Sequence, residues 1–154
     1  MVKIKIISQL NRIERNEVEQ LFYENRENLN ITSSFENVIE NSHFYSFYSE
    51  GKLTGCVYFF CDEELEYLVR ENFEIKKGGG GLLLFMNGFS KRKCHKENLL
   101  AIKKASDFYS QDIYSLTDKK SACFCLLRAG FLKISKRQKA DLPKTNQLLR
   151  LVHK

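Results

Sequence analysis

The residues best suited to chemistry lie in a short basic stretch near the middle of the chain. This stretch, 91–96, follows the apolar run LLLFMNGFS at 82–90 and precedes an amphipathic segment at 98–110. A loop between a strand and a helix presents unpaired backbone N–H groups and the positive end of the helix macrodipole. Cationic side chains in the loop add to that attraction. The sequence therefore predicts an anion site where 82–90 ends and the next helix begins.

The elements that must position this site follow from periodicity and turn residues. Alternating apolar residues predict strands, stripes at helical spacing predict helices, and Glu50–Lys52 marks a hairpin turn. The predicted strands are 2–8, the two arms of the hairpin at 44–60, 82–90, 112–117, 131–138 and 146–154. The predicted helices are 12–27, a short one with Phe35, Val38 and Ile39, then 98–110 and 119–129. The acidic run 61–75 predicts a short helix followed by a strand near Phe73–Ile75.

This order predicts one domain, 1–154, of the α/β (α+β) class, with a mixed, mostly antiparallel central sheet flanked by helices. The segment Asp112–Ile134 is its most specific part. It reads as a strand, a helix of about three turns and a second strand, with Ala122 eight residues before the pair Gly130–Phe131. In element order and in this ending, the segment resembles the last conserved block of the GNAT superfamily, the N-acyltransferases that use acetyl-CoA.

The resemblance implies acetyl-CoA as co-substrate, bound where 82–90 ends. In that family a Q/R-x-x-G-x-G/A loop wraps the pyrophosphate, and here Lys91 takes the Q/R place. Cys94 and Lys96 stand where the family has small residues. Two interpretations follow: cationic side chains replace part of the usual backbone contact, or the loop no longer binds CoA. The implied cofactor-binding residues are Gly88, Phe89, Ser90, Lys91, Arg92, Lys93, Cys94, His95 and Lys96. The backbone amides of Gly88–Ser90 would hold the thioester oxygen.

The catalytic acid of the family is not retained in this chain. Many GNAT enzymes carry a Tyr four residues before the Gly of Gly-Phe, where this chain has Leu126. The alternative donors of a proton to the leaving thiolate are Cys125 or Cys123 on the helix, Tyr114 or Ser115 on the preceding strand, and solvent. Of these residues, Tyr114 and Cys125 are taken as the candidates. Cys125 also suits a packing role, since Cys is often buried.

A general base would come from a carboxylate or a water near the central strands. No acidic residue lies in LLLFMNGFS or in IYSLT. The acidic residues that follow the third strand, Glu63, Glu64 and Glu66, are the candidates that can reach an acceptor. Asn87 and Ser90 interrupt an apolar run and are candidates for orienting a substrate.

Composition limits the setting and the partners. The net charge of +6 favours anionic partners. Five scattered cysteines without a C-x-x-C pair fit free thiols in a reducing cytoplasm. The start of the chain lacks the apolar core of a signal peptide, and no window is long and apolar enough for a membrane helix. His43, His95 and His153 form no metal-binding pattern.

The leading interpretation is an acetyl-CoA-dependent N-acetyltransferase that acts on a small-molecule or protein amine. Two alternatives remain open: a GNAT-fold protein that binds or scaffolds without catalysis, and a basic nucleic-acid-associated domain, which is less favoured. The last strand, Gln147–His153, is expected to offer an edge for pairing in a homodimer.

Overall fold

The computed structural model describes residues 2–26, 32–75, 82–91 and 96–153. Within them the chain forms strands and helices in an order close to the expected one. The strands are β1 Val2–Ile6, β2 His43–Ser49, β3 Lys52–Phe60, β4 Leu84–Ser90, β5 Ile113–Thr117, β6 Leu132–Ile134 and β7 Gln147–Leu151. The helices are α1 Arg12–Asn25, α2 Phe35–Glu40, α3 Glu63–Asn72, α4 Lys96–Ser106 and α5 Lys120–Arg128, with a 3₁₀ turn at Ile7–Gln9.

The strands form one sheet in the order β1-β2-β3-β4-β5-β7-β6. Every neighbouring pair in the described residues is antiparallel except β4 and β5, which run parallel. A parallel pair needs a crossover connection, and α4 supplies it. The predicted mixed, mostly antiparallel sheet flanked by helices is confirmed.

Alternation along the strands divides the core between the two faces of the sheet. On one face, Val57 and Met86 pack with Ala101 of α4 and Leu126 of α5. On the other face, aromatic and aliphatic side chains of β2, β3 and β4 pack against α1 and α2, and a further cluster packs against α3. The central strands are therefore buried on both sides, which explains the long apolar run of β4.

The main departure from the predicted elements is α3. A short helix followed by a strand was expected in the run 61–75, and the structure has a helix of ten residues. Asp62 caps it by accepting a hydrogen bond from the Leu65 N–H at 3.0 Å, and three glutamates in its first turn favour the positive end of its dipole. The expected strand is reduced to a single bridge between Phe73 and Lys136.

The buried residue Asn72, at the last turn of α3, ties this helix to the connection between β6 and β7. Its side-chain oxygen accepts from the N–H groups of Asp141 at 2.8 Å and Leu142 at 3.3 Å. Its amide nitrogen donates to the Leu68 carbonyl at 2.8 Å, and its own carbonyl accepts from the Arg137 N–H at 2.9 Å. One side chain therefore closes a turn of helix and fixes a distant loop.

The Gly130–Phe131 pair ends α5 as predicted. Gly130 adopts φ +102°, a conformation that costs glycine little. The Phe131 N–H donates to the Leu126 carbonyl at 3.0 Å and the Gly130 N–H to the Leu127 carbonyl at 3.1 Å, which is the Schellman pattern. The side chain of Phe131 then enters the core beneath the helix.

The expectation that the last strand offers a free edge is wrong. β7 is paired on one side with β5 and on the other with β6. Its backbone N–H and C=O groups are therefore engaged within the chain, and it cannot pair with a second copy while this sheet is intact. In the described residues the outer strands of the sheet are β1 and β6.

Candidate functional site

The parallel strands β4 and β5 separate soon after they meet. Their pairing covers two positions, Leu84 with Ile113 and Phe85 with Tyr114. Beyond them, the Ser115 hydroxyl donates to the Met86 carbonyl at 2.9 Å, so a side chain replaces the next backbone bond. Further along, β4 stays with β3 and β5 with β7. A wedge opens in the middle of the sheet.

Strand geometry gives the direction of the backbone groups that border this wedge. The N–H and C=O of one residue point to the same edge of a strand, and successive residues alternate. Because the Met86 carbonyl points towards β5, the N–H of Gly88 points the same way, into the wedge. The N–H of Lys91, which is three residues after Gly88, points to the opposite edge and donates to the Thr54 carbonyl of β3 at 3.1 Å. β4 therefore presents an unshielded N–H at Gly88.

A cleft of about 770 Å³ occupies the wedge and passes from one face of the sheet to the other. On one face its walls include Leu99 and Ile102 of α4 and the start of α5 at Ser121 and Ala122. On the other face it is bounded by the C-terminal end of α2 and the start of α3. We call these parts the α4–α5 half and the α2–α3 half.

The start of α4 is held against β3 by a close approach of backbone. Asn98 is buried, and its amide nitrogen donates to the Thr54 carbonyl at 3.3 Å. A Cβ at Gly55 would lie 3.0 Å from the Phe89 carbonyl oxygen and 3.3 Å from the Asn98 Oδ1. Glycine at 55 therefore allows the first turn of α4 to lie beside the end of β4, at the N-terminal end of the helix, where the helix dipole is positive.

The predicted cofactor residues fall into three groups. Gly88, Phe89 and Ser90 line the cleft, and their binding of the cofactor stays a prediction. Lys91 and Lys96 are exposed at the end of β4 and the start of α4. Arg92, Lys93, Cys94 and His95 lie outside the described residues, so the prediction that they bind the pyrophosphate stays a prediction.

The two predicted acids lie in different surroundings. Tyr114 is buried at the last position where β5 pairs with β4, in the cluster that packs against α3, and its neighbour Ser115 lines the cleft. Leu126 lines the cleft at the place of the family tyrosine. Cys125 also lines it, but its sulfur is disulfide-bonded and in that state has no proton to donate. Its role as an acid therefore stays a prediction for the reduced protein only.

The cysteines as a set partly depart from the expected free thiols. Cys56, Cys61 and Cys123 are free, whereas Cys125 is not. Burial raises the pKa of the Cys56 thiol well above its usual value, so it stays protonated and packs as a small apolar group.

Sequence reasoning missed a polar pair in the α2–α3 half. Tyr58 on β3 lies directly opposite Asn87 on β4, and the Asn87 amide nitrogen donates to the Tyr58 hydroxyl oxygen at 3.1 Å. Burial raises the pKa of Tyr58 to about 12, against a smaller lowering by the Asn87 hydrogen bond, so the phenol remains protonated at neutral pH. Asn87 was expected to orient a substrate, whereas Tyr58 resembled any aromatic residue of an apolar strand.

The expected carboxylates are not the ones at the cleft. Glu66 is occupied, because it pairs with Arg70 at 3.1 Å and accepts from the Leu83 N–H. Glu63 and Glu64 stand on α3 outside the cleft lining of the described residues. The carboxylates among the described lining residues are Asp62, which directly precedes Glu63, and Asp118. The role of Glu63, Glu64 or Glu66 as a base stays a prediction.

Two searches over the described ranges bear on other classes of site. No helix in 2–26, 32–75, 82–91 or 96–153 is long and apolar enough to cross a membrane. The same ranges contain no group of three or more His, Cys, Asp or Glu side chains placed to hold a metal ion.

Solved structures match this architecture along nearly its whole length. The aminoglycoside N(6′)acetyltransferase of Legionella pneumophila is 13% identical, with 98% of this chain and 91% of that chain covered at a TM-score of 0.64. The Campylobacter jejuni N-acetyltransferase PseH, solved with acetyl coenzyme A, is 12% identical, with 99% of each chain covered at a TM-score of 0.56. The AHL synthase LasI is 12% identical, with 99% and 89% covered at a TM-score of 0.63.

This chain has the GNAT fold. No protein-family model matches it, and no curated protein matches it by sequence. The GNAT fold therefore comes with a divergent sequence, and the matched structures include both acetyltransferases and a synthase. The fold is shown at these low identities, and the reaction must be argued from the cleft.

Proposed function

We propose that this chain is an acetyl-CoA-dependent N-acetyltransferase. The observation that carries the proposal is the wedge between β4 and β5, with the Gly88 N–H facing it and the first turn of α4 at its mouth. A donor N–H at a point where negative charge develops is what acyl transfer from a thioester needs. Two of the matched structures are named as acetyltransferases, one of them solved with acetyl coenzyme A, which supports the same ligand here.

The residues present suit acetyl-CoA in the α4–α5 half. The first turn of α4 offers N–H groups to a phosphate, and Lys91 and Lys96 bring two cations to the same place. Leu99, Ile102 and Leu126 give the cleft an apolar wall for a thioester chain. The co-substrate supplies an acetyl group activated as a thioester. In this proposal, the protein orients it with backbone groups and apolar contacts.

In the proposed reaction, the amine nitrogen forms a bond to the acetyl carbon and the carbon–sulfur bond breaks. An ammonium acceptor first loses one proton to water or to a base at the rim, which frees the nitrogen lone pair for attack. The nitrogen loses a second proton after the new bond has formed, and the released thiolate takes one proton from solvent. The Gly88 N–H would hold the acetyl oxygen during this exchange. With Leu126 at the place of the family tyrosine, rate enhancement would depend on positioning more than on acid catalysis.

Calorimetric titration with acetyl-CoA, followed by a thiol-release assay with a panel of amines, tests the proposal. We expect micromolar binding that weakens at least tenfold when Lys91, Arg92 and Lys93 are replaced by Ala. A matched variant, with Lys133, Lys139 and Lys144 replaced by Ala, removes the same charge away from the cleft and should bind normally. Absence of heat at millimolar acetyl-CoA would refute the proposal.

The two other interpretations give different results in the same experiments. Binding without thiol release from any amine would indicate a non-catalytic GNAT-fold protein. Salt-dependent binding of DNA or RNA without acetyl-CoA binding would indicate a nucleic-acid-associated domain.

A further inference from the structure

The α2–α3 half of the cleft is the part that the proposed function leaves for the acceptor. If acetyl-CoA lies along α4 and α5, its acetyl group reaches the wedge, and the amine must approach from the opposite face. The polar and charged groups of that half then indicate which amine it can bind. This inference rests on the proposed function, since it takes acetyl-CoA to occupy the other half.

The charges around the cleft are unusual for this protein. Lys and Arg make up 25 of the 154 residues, yet none of them is among the described residues that line the cleft. The charged residues that do line its described part are Asp62 and Asp118. A carboxylate or phosphate on the acceptor would therefore meet no cation among these described lining residues, whereas an ammonium group would meet the Asp62 carboxylate.

Neutral polar groups dominate the same half. Asn41 ends α2, and its amide nitrogen donates to the carbonyl and the side-chain oxygen of Asn37, one turn earlier, at 2.8 and 2.7 Å. Ser42 follows, with its hydroxyl donating to the Val38 carbonyl at 2.6 Å. The Asn41 oxygen has no bond to another described residue and remains to accept one from a ligand.

The Tyr58–Asn87 pair forms the floor of this half. Because Asn87 donates to the Tyr58 oxygen, the phenol hydrogen is directed away from Asn87 and is available to a ligand. The Tyr58 ring is stacked on Phe44, with centroids 5.8 Å apart and planes inclined by 5°. This packing fixes the hydroxyl before any ligand arrives. The Tyr58 hydroxyl is then a fixed donor, and the side-chain oxygen of Asn87 is a fixed acceptor beside it. This pair suits a ligand hydroxyl group, which both accepts and donates a hydrogen bond.

We propose that the acceptor is a small cationic amine bearing several neutral hydroxyl groups, of which an amino sugar is the simplest example. Its hydroxyls are bound by Tyr58, Asn87 and the Asn37–Asn41 pair, and its ammonium group enters past Asp62. Anionic amines are disfavoured, because the described residues that line the cleft include two carboxylates and no Lys or Arg. Simple apolar amines bind less well because they leave the hydroxyl hydrogen of the buried Tyr58 without an acceptor.

The test compares five amines of different chemistry in the thiol-release assay with the whole chain: glucosamine, cyclohexylamine, spermidine, glutamate and trialanine amide. We expect kcat/KM for glucosamine to exceed that for cyclohexylamine at least tenfold, with glutamate the poorest acceptor. Preference for cyclohexylamine, spermidine, glutamate or the peptide would overturn the inference while leaving acetyl transfer intact. Thiol release from no amine would instead count against the proposed function.

A matched pair of variants locates the selectivity. Tyr58→Phe keeps the ring and its stacking but removes the hydroxyl, and Tyr67→Phe makes the same change at an exposed position of α3 outside the cleft lining. We expect the ratio of kcat/KM for glucosamine over cyclohexylamine to fall about tenfold in Tyr58→Phe and to stay constant in Tyr67→Phe. Equal ratios in the two variants, with acetyl-CoA binding retained, would overturn the role of Tyr58.

Discussion

The two halves of the cleft are built from different parts of the polypeptide. The α4–α5 half depends on backbone: the Gly88 N–H, the first turn of α4 and the close approach at Gly55. The α2–α3 half depends on side chains, among them Tyr58, Asn87 and Asp62. Backbone groups persist through sequence change as long as the fold does, whereas side chains are replaced freely. Comparison with other GNAT-fold proteins therefore informs the first half more than the second.

Removal of the N–H at Gly88 should have the largest effect. Gly88→Pro lacks this donor, and we expect kcat to fall about 100-fold, in the range seen when one oxyanion donor is lost. Gly88→Ala keeps the N–H and places its Cβ 3.3 Å from the Cys56 carbonyl oxygen, so it should retain most of the activity. Thermal unfolding of both variants checks that the sheet is intact. Equal activity of the two folded variants would show that this N–H takes no part.

A change at Gly55 should affect the α4–α5 half by displacing α4, without removing any group that contacts the ligand. Gly55→Ala forces the Phe89 carbonyl and the start of α4 apart, since the added Cβ would otherwise lie 3.0 Å from that oxygen. We expect the Kd for acetyl-CoA to rise about tenfold, measured by calorimetry, with a smaller change in KM for the amine. Unchanged affinity in the folded variant would show that α4 is not held at this point.

A change at Asp62 should affect only the other half. Asp62→Asn keeps a good cap for α3 but removes the negative charge at the rim. Because this side chain is exposed, we expect KM for a cationic amine to rise only about threefold, with the Kd for acetyl-CoA constant. An equal rise in both constants would contradict the separation of the two halves.

Titration of Tyr58 should have the smallest effect at neutral pH and should clearly change the free energy of unfolding in alkali. Its pKa is about 12 in the folded chain and 10.0 when unperturbed, because burial favours the neutral phenol. The unfolded chain therefore loses this proton first, and the free energy of unfolding should fall as the pH rises from 10 to 12. Denaturant unfolding across that range measures it, and Tyr58→Phe should show a shallower fall. The same fall of the unfolding free energy with pH in the parent chain and in Tyr58→Phe would contradict the raised pKa of Tyr58.

The order of elements could be predicted because it follows from the local spacing of apolar residues. The apolar run that became β4, the stripe that became α4 and the Gly130–Phe131 ending of α5 each depend on neighbours in sequence. The helix α3 was underestimated, since its apolar residues are few and its stability comes from the Asp62 cap and from tertiary contacts.

The site could be predicted only where it follows one strand. Gly88–Ser90 could be placed at the cleft because they end β4. Tyr58 was missed because its partner Asn87 is 29 positions away. The register between β3 and β4 that brings the two side chains together cannot be predicted from one sequence. Of the two candidate residues on β5, Ser115 lines the cleft and Tyr114 lies in the core. Successive side chains of a strand point to opposite faces, and the sequence alone does not show which face borders the cleft.

The tie made by Asn72 also has a consequence for how the chain acquires its shape. Its oxygen accepts hydrogen bonds from residues 69 and 70 positions later, so its place is not secured until the C-terminal part of the chain exists. During synthesis, the last turn of α3 must wait for that part while the earlier strands can already pair. The acceptor rim that α3 carries should therefore be among the last features to become rigid.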